Sequence, residues 1–230
     1  RDKLVTGVQT CALPILALGA RKVGYDFVLA LDPSSLDISG ADLAGYDAPL
    51  KSLLSDEGHR VIIGSYPTFR PADAYADLVG RGGVGVVDLQ LEEDGVVRSV
   101  ATRLRLPSGR IEASFAELMA APLEGDLPAR AQTRFLFFPR APLRSAPQIS
   151  VERFEACLAT PGGRDRLATV IGGRNVLIGT GIVGEDMRRG PDRFMPQNAA
   201  AAPAGDPCAV GGLATNFGDR NVVPGVLLQA

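Results

Sequence analysis

The amino-acid sequence predicts an α/β fold: a mostly parallel central sheet with helices on both faces and one inserted β-hairpin. Two observations carry this. Short apolar runs alternate with helical stretches, the order expected when parallel strands are joined by crossover helices. Runs such as Arg60-Val-Ile-Ile-Gly64 and Asn175-Val-Leu-Ile-Gly179 are apolar throughout, which suits strands buried on both faces. With 230 residues, 46% of them hydrophobic, the chain can bury a sizeable core, and it reads as one α/β domain without internal repeats.

The elements follow in order. Leu16 to Lys22 reads as the end of a helix running into a turn. Val23 to Leu29 is a short apolar run holding one carboxylate, Asp26, and predicts a buried strand. Pro33, Ser34, Ser35, Ser39 and Gly40 mark a loop over Leu31 to Ala44. Tyr46 to Leu54 places Leu50, Leu53 and Leu54 at helical spacing, with Asp47 as N-cap before Pro49. Arg60 to Gly64 is the second strand. Pro71 to Val79 predicts a helix with Ala74, Leu78 and Val79 inward and Asp73 and Asp77 outward.

Val84 to Leu91 predicts a strand, Glu93-Asp94-Gly95 a hairpin turn, and Val96 to Leu106 the returning arm. Pro107-Ser108-Gly109 turns again, and Ile111 to Ala121 reads as a helix. Thr133 to Phe138 is an aromatic strand. Val151 to Leu158 is a helix capped by Ser150, with Glu152 and Arg153 in its first turn. Arg164 to Val170 is helical and Asn175 to Gly179 a strand. From Met187 to Asp219 the Ala-, Pro-, Gly- and Arg-rich composition predicts a long loop. Asn221 to Ala230 starts extended, and Pro224 would open a helix.

Charge excludes some function classes. Lys plus Arg is 24 against 26 for Asp plus Glu, a formal net charge of -2. A nucleic-acid partner is not expected, because no positive excess neutralises phosphates. Nor is the chain a disordered tail, which would combine fewer apolar residues with more net charge. One His rules out a His-rich metal site, and three Cys do not make a disulfide framework. Whether Cys157 and Cys208 pair is left open by the sequence.

Several constellations touch on chemistry. Gly179-Thr-Gly-Ile-Val-Gly184 has the G-x-G-x-x-G pattern of a dinucleotide loop directly after a strand. Its context favours a strand-end turn instead: Glu185 to Pro191 carries no apolar helical stripe, and two carboxylates sit where phosphates would bind. Gly64-Ser65-Tyr66 fails as a nucleophile elbow, because Pro67 stands where that motif needs Gly. His59, before the same strand, is expected to be exposed. Cys157 lies on an apolar helix face and reads as core. Glu185, Asp186 and Asp192 carry enough oxygens for a hard cation, but Arg188, Arg189 and Arg193 favour ion pairing. No catalytic residue, cofactor or metal is therefore expected, and the chain does not read as an enzyme. Asp26, in an apolar strand, needs a partner or a ligand, and Arg98 reads as structural.

No run approaches the ~18 apolar residues of a membrane-spanning helix. Cys11 to Ala20, behind Arg1 and Lys3, mimics a signal peptide but is broken by Pro14, and no initiator Met precedes it. Val5 to Ile15 looks like the translation of a common sequencing-adapter oligonucleotide. Residues 1–15 are accordingly expected to be an assembly scar, and 16–230 a single domain truncated at both ends.

The ordered stretches resemble a sensory family. These are LGARKVGYDFVLALD, LKSLLSDEGHRVIIGSY, GVGVVDLQLEEDGVVRSVATRLRLPSGRIEASFAELMAA, FLFFP, ISVERFEACLA, GRNVLIGTGIVGEDMRRGP and VVPGVLLQA. Together, over most of residues 16–230, they resemble the second CHASE type, the cyclase- and histidine-kinase-associated sensory extracellular domain. Three departures stand out. The family's opening strand with its acidic residues and Trp-Pro segment is absent, the stretch from Gly190 to Val222 is longer, and Gln229-Ala230 replaces a His-Ala step.

The resemblance implies a non-catalytic, extracytoplasmic (periplasmic or extracellular) input domain of a bacterial membrane receptor, held to the membrane by flanking segments. It implies an unknown small-molecule or physical signal and a cytoplasmic cyclase or kinase output. Asp26, Gly181, Glu185 and Asp186 are the candidate ligand pocket, placed at strand ends where α/β sheets bind ligands. Two other readings stand beside it. One is a soluble nucleotide-binding enzyme using the Gly179–Gly184 loop; the other is a scaffold that dimerises a receptor and senses nothing. Self-association as a homodimer is open.

Overall fold

The computed structural model describes residues 11–32, 47–80, 82–87, 93–94, 99–121, 123, 133–135, 147–179, 187–189, 205–211 and 222–224. Its centre is a four-stranded sheet, among the described residues, formed by β1 (Lys22–Tyr25), β2 (Val61–Ser65), β3 (Val84–Val86) and β8 (Asn175–Ile178). The strand order is β3-β2-β1-β8 and every neighbouring pair is parallel. Helices lie on both faces: α1 (residues 11–17), α2 (Ala48–Glu57), α3 (Asp73–Val79), α4 (Phe115–Ala120), α5 (Val151–Leu158) and α6 (Gly163–Ile171). The expected α/β architecture is the observed one.

Alternation along the strands sorts the two faces. Val23 and Tyr25, Val61 and Ile63, and Ile178 point into the main core with Leu50, Leu53 and Leu54 of α2, Tyr75 and Val79 of α3, Phe154 and Cys157 of α5, and Leu167 and Ile171 of α6. Cys11, Ala12, Ile15 and Leu16 of α1 are buried in the same core. Ile62 faces the other way, where Phe115, Leu118 and Met119 of α4 cover the sheet.

Glycine lets α4 come this close. A Cβ on Gly24 would lie 2.6 Å from Phe115 Cζ and 2.7 Å from Met119 Sδ, and one on Gly85 would lie 2.6 Å from the Phe115 Cα. The last turn of α4 leaves carbonyls without intrahelical partners, and donors at the amino ends of the strands fill them. The buried Lys22 ammonium donates to Leu118 O, and to Ala121 O at 2.9 Å; Asn175 Nδ2 donates to Met119 O at 2.7 Å, and Arg21 to Ala121 O at 3.0 Å. Cations at this end also complement the helix dipole.

Several elements differ from the sequence expectation. β1 ends at Tyr25, so Asp26 lies just beyond the strand and is half-buried, not inside it. The expected pairing of 84–91 with 96–106 falls partly outside the described residues. Within them, β4 (Ser99–Ala101) pairs antiparallel with β7 (Thr133–Phe135), and β5 (Arg103–Arg105) pairs with β6 (Ile111–Ala113). The inserted hairpin therefore turns at Pro107–Gly109, where Gly109 has φ 81°, and Val86, Leu104 and Leu106 pack together beside the main sheet. Ile111 to Ala113 is strand, and the helix starts only after Ser114, whose Oγ accepts the Glu117 N–H at 3.1 Å. In α3 the buried residues are Tyr75 and Val79. Within the expected long loop, β9 (Met187–Arg189) pairs antiparallel with β10 (Val222–Pro224), so Pro224 ends a strand; the helix expected after it lies outside the described residues.

Other expectations match. α5 spans Val151–Leu158, and Ser150 Oγ accepts the Arg153 N–H at 3.3 Å. Asp47 occupies the N-cap position of α2, its carbonyl accepting the Lys51 N–H at 2.9 Å, but its carboxylate does not cap. Cys157 and Cys208 form a disulfide across a sequence separation of 51, with Cα atoms 4.8 Å apart.

Candidate functional site

The chain runs outward from β1 to β2 to β3, then returns to the other side of β1 for β8. The order in which strands are added therefore reverses between β1 and β8, and such a switch point, at the carboxyl ends of the strands, is where open parallel sheets form a ligand crevice. Asp26 is the first residue past β1, and its backbone N–H donates to Ile178 O at 2.9 Å, which ties the two strand ends together. Gly179 follows β8 and is exposed. Of the four candidate pocket residues, Asp26 is thus placed at this switch point. Gly181, Glu185 and Asp186 lie outside the described residues, as do Arg98 and Asp192.

A polar network stands on the same edge of the sheet, at the start of the helix that follows β1. The buried Asp47 carboxylate accepts from Tyr75 Oη at 2.8 Å and from Lys51 Nζ at 2.9 Å. Lys51 also reaches Asp32 at 3.2 Å and lies 5.7 Å from the centre of the Tyr75 ring. The Asp47 hydrogen bond foremost, and the neighbouring carboxylates with it, raise the Lys51 pKa. Burial foremost, then Asp47, pushes the Tyr75 phenol well up. The carboxylate that sequence reasoning assigned to capping therefore joins two helices. The Asp47–Lys51 spacing of four was a readable sign of an ion pair; the Tyr75 contact, 28 residues away, had no local sign.

At the end of β1, Tyr25 is fully buried and packs edge-on against Phe27, with ring centres 5.3 Å apart. Burial pushes its phenol well above the ordinary range, and among the described residues its hydroxyl has no hydrogen-bond partner. After β2 the chain makes a tight turn in which Tyr66 and Phe69 exchange backbone hydrogen bonds at 2.8 and 3.2 Å, leaving both rings partly exposed.

Ser65 and His59 are not brought together. Ser65 is fully buried at the carboxyl end of β2 and donates to Gly85 O at 3.2 Å, whereas His59 is exposed before the amino end of that strand. Among the described residues no three His, Cys, Asp or Glu side chains group as metal ligands, and no helix is long and apolar enough to cross a membrane.

The Cys157–Cys208 disulfide is buried in the main core. The disulfide fixes segment 205–211 to α5. Beside it, Asp206 accepts from Arg166 at 2.6 and 3.2 Å and from the Cys208 N–H at 2.9 Å. Arg166 first, and the Cys208 amide second, hold the Asp206 carboxyl below the usual carboxylate range. Comparison with known proteins gives no match to the chain, whether among protein-family models, curated proteins or solved structures.

Proposed function

We propose that the chain is the extracytoplasmic input domain of a bacterial transmembrane signalling receptor. The signal is a small molecule or a physical stimulus, taken up at the crevice beyond β1 and β8. The observation that carries this reading is the Cys157–Cys208 disulfide, because such bonds persist in oxidising compartments and are rare in the bacterial cytosol. The doubly wound sheet with Asp26 at its switch point supports it further, as does the ordered resemblance to the second CHASE type.

The mechanism is a population shift. A signal that binds one arrangement of the strand ends more tightly moves the equilibrium toward it, by no more than the difference in affinity. The chain continuing beyond β10 carries that change to the membrane segment and on to a cyclase or kinase output. Sequencing past both ends of the reading frame tests this. The expected result is apolar spans of about 20 residues on the flanks and a cytoplasmic signalling domain after them. A frame without such spans overturns it.

The nucleotide-enzyme alternative has one feature in its favour: the Gly179–Gly184 loop directly follows a parallel strand at the switch point. Against it, β9 begins at Met187, three residues after Gly184, so the helix that a phosphate loop opens has no room there. Stabilisation by millimolar nucleotide that vanishes in Gly181→Asp would favour the enzyme, and the absence of any shift would remove it.

A further inference from the structure

We propose that the Cys157–Cys208 disulfide is a redox-operated clasp: a dithiol reductant opens it and frees segment 205–211 while the parallel sheet stays folded. The proposal goes beyond the sensory reading and does not depend on what the crevice binds.

The case rests on what holds this segment. Cys208 is the residue of 205–211 that enters the main hydrophobic core, where it meets the fully buried Cys157. The remaining anchors are polar contacts outside that core. Asp206 and Arg166 form an ion pair whose side chains are 40% and 54% exposed, a class of contact that contributes little once solvent screens it. Arg153 donates to the Asp206 carbonyl at 2.5 Å. Gln148 and Gly211 exchange two backbone hydrogen bonds at 2.8 and 3.0 Å. None of the described strands of the parallel sheet includes residues 205–211. The segment also sits on the chain between β9 and β10, a pair separate from the main sheet. Opening the clasp therefore frees 205–211 without removing any described strand from the parallel sheet.

The chemistry is thiol–disulfide exchange. One thiolate of the dithiol attacks Cys208 Sγ, the less buried sulfur, forming a mixed disulfide and expelling the Cys157 thiolate, which takes up a proton. The second thiol of the reductant attacks the mixed disulfide and expels the Cys208 thiolate, which is protonated in turn. The reductant leaves as an internal disulfide, having delivered two electrons and two protons.

Hydrogen–deuterium exchange on the full chain, oxidised and after dithiothreitol, tests the clasp. The amides of Gln148, Cys208, Ala209 and Gly211 should exchange roughly tenfold faster or more after reduction, with those of Tyr25 and Ile63 unchanged, as for local opening. Reoxidation should restore protection, and Cys208→Ser should match the reduced protein. Unchanged protection over 205–211, or loss of protection throughout the sheet, would overturn the proposal. If Cys208→Ser fails to fold, the wild-type reduction decides.

Discussion

Gly24→Ala probes the close packing of α4 on the sheet. The added Cβ would lie 2.6 Å from Phe115 Cζ, 2.7 Å from Met119 Sδ and 3.1 Å from Leu177 Cδ2. Carbon contacts are best at about 3.5–4.0 Å, so either the ring tip or the helix must give by about 1 Å. Overpacking of this kind costs about 1–3 kcal/mol. Replacing a strand glycine returns roughly 0.5–1 kcal/mol of backbone entropy. At the middle of both ranges the net loss is about 1.25 kcal/mol, which lowers the Tm of a domain this size by about 2–5 °C. Thermal unfolding followed by circular dichroism measures it. Because the clash is with a ring tip, Phe115→Leu should relieve it, so in that background Gly24→Ala should cost at least about 0.5 kcal/mol less. A neutral or stabilising Gly24→Ala, or an equal cost in both backgrounds, would refute the packing of α4 described above.

Other expectations follow the same physics. Burial, with Glu155 and Glu152 nearby, raises the buried Cys11 thiol from 9.0 to about 11, so stability present below pH 9 is lost as pH rises toward 11. The loss is roughly 3 kcal/mol, and a denaturant series in that window should show a steeper decline in wild type than in Cys11→Ala. Asp47→Ala should cost about 1–3 kcal/mol in urea unfolding by stranding the buried Tyr75 hydroxyl and leaving Lys51 with Asp32 alone, and more than Tyr75→Phe, which leaves the Asp47–Lys51 pair; the reverse order would contradict the network. Ser150→Ala should lower stability by about 1 kcal/mol, read from the same curves, and an unchanged midpoint would deny the cap. Closing a separation of 51 residues is worth at most about 4 kcal/mol in chain entropy, so reduction should lower the Tm; equal melting of both forms would contradict a closed loop.

The strands of the parallel sheet were legible as short apolar runs, although burial differs between them: Val61–Ser65 is buried along its whole length, whereas Asn175–Ile178, at the end of the strand order, is fully buried only at Ile178. α5 was legible to the residue because Ser150 sits directly before an apolar helical stripe. The region around α4 was not, because Ile111-Glu-Ala113 fits a helix or a strand equally and pairing with β5 decides. The Ser114-x-x-Glu117 spacing was the available sign of a helix start there. Lys22 was illegible for another reason. Its partners are carbonyls 96 and 99 residues away, and no local pattern records a distant helix end. At the crevice, Asp26 was singled out as a carboxylate in apolar surroundings, but its place beyond the strand follows from where pairing with β2 and β8 stops.

The central claim is that this domain faces an oxidising compartment as part of a membrane receptor. Intact cells expressing the full reading frame can be treated with a membrane-impermeant maleimide, before and after a membrane-impermeant phosphine reductant, and Cys208 assayed by mass spectrometry. The account predicts that Cys208 is labelled without lysis, and only after reduction. Labelling that needs lysis, or that needs no reduction, would contradict it.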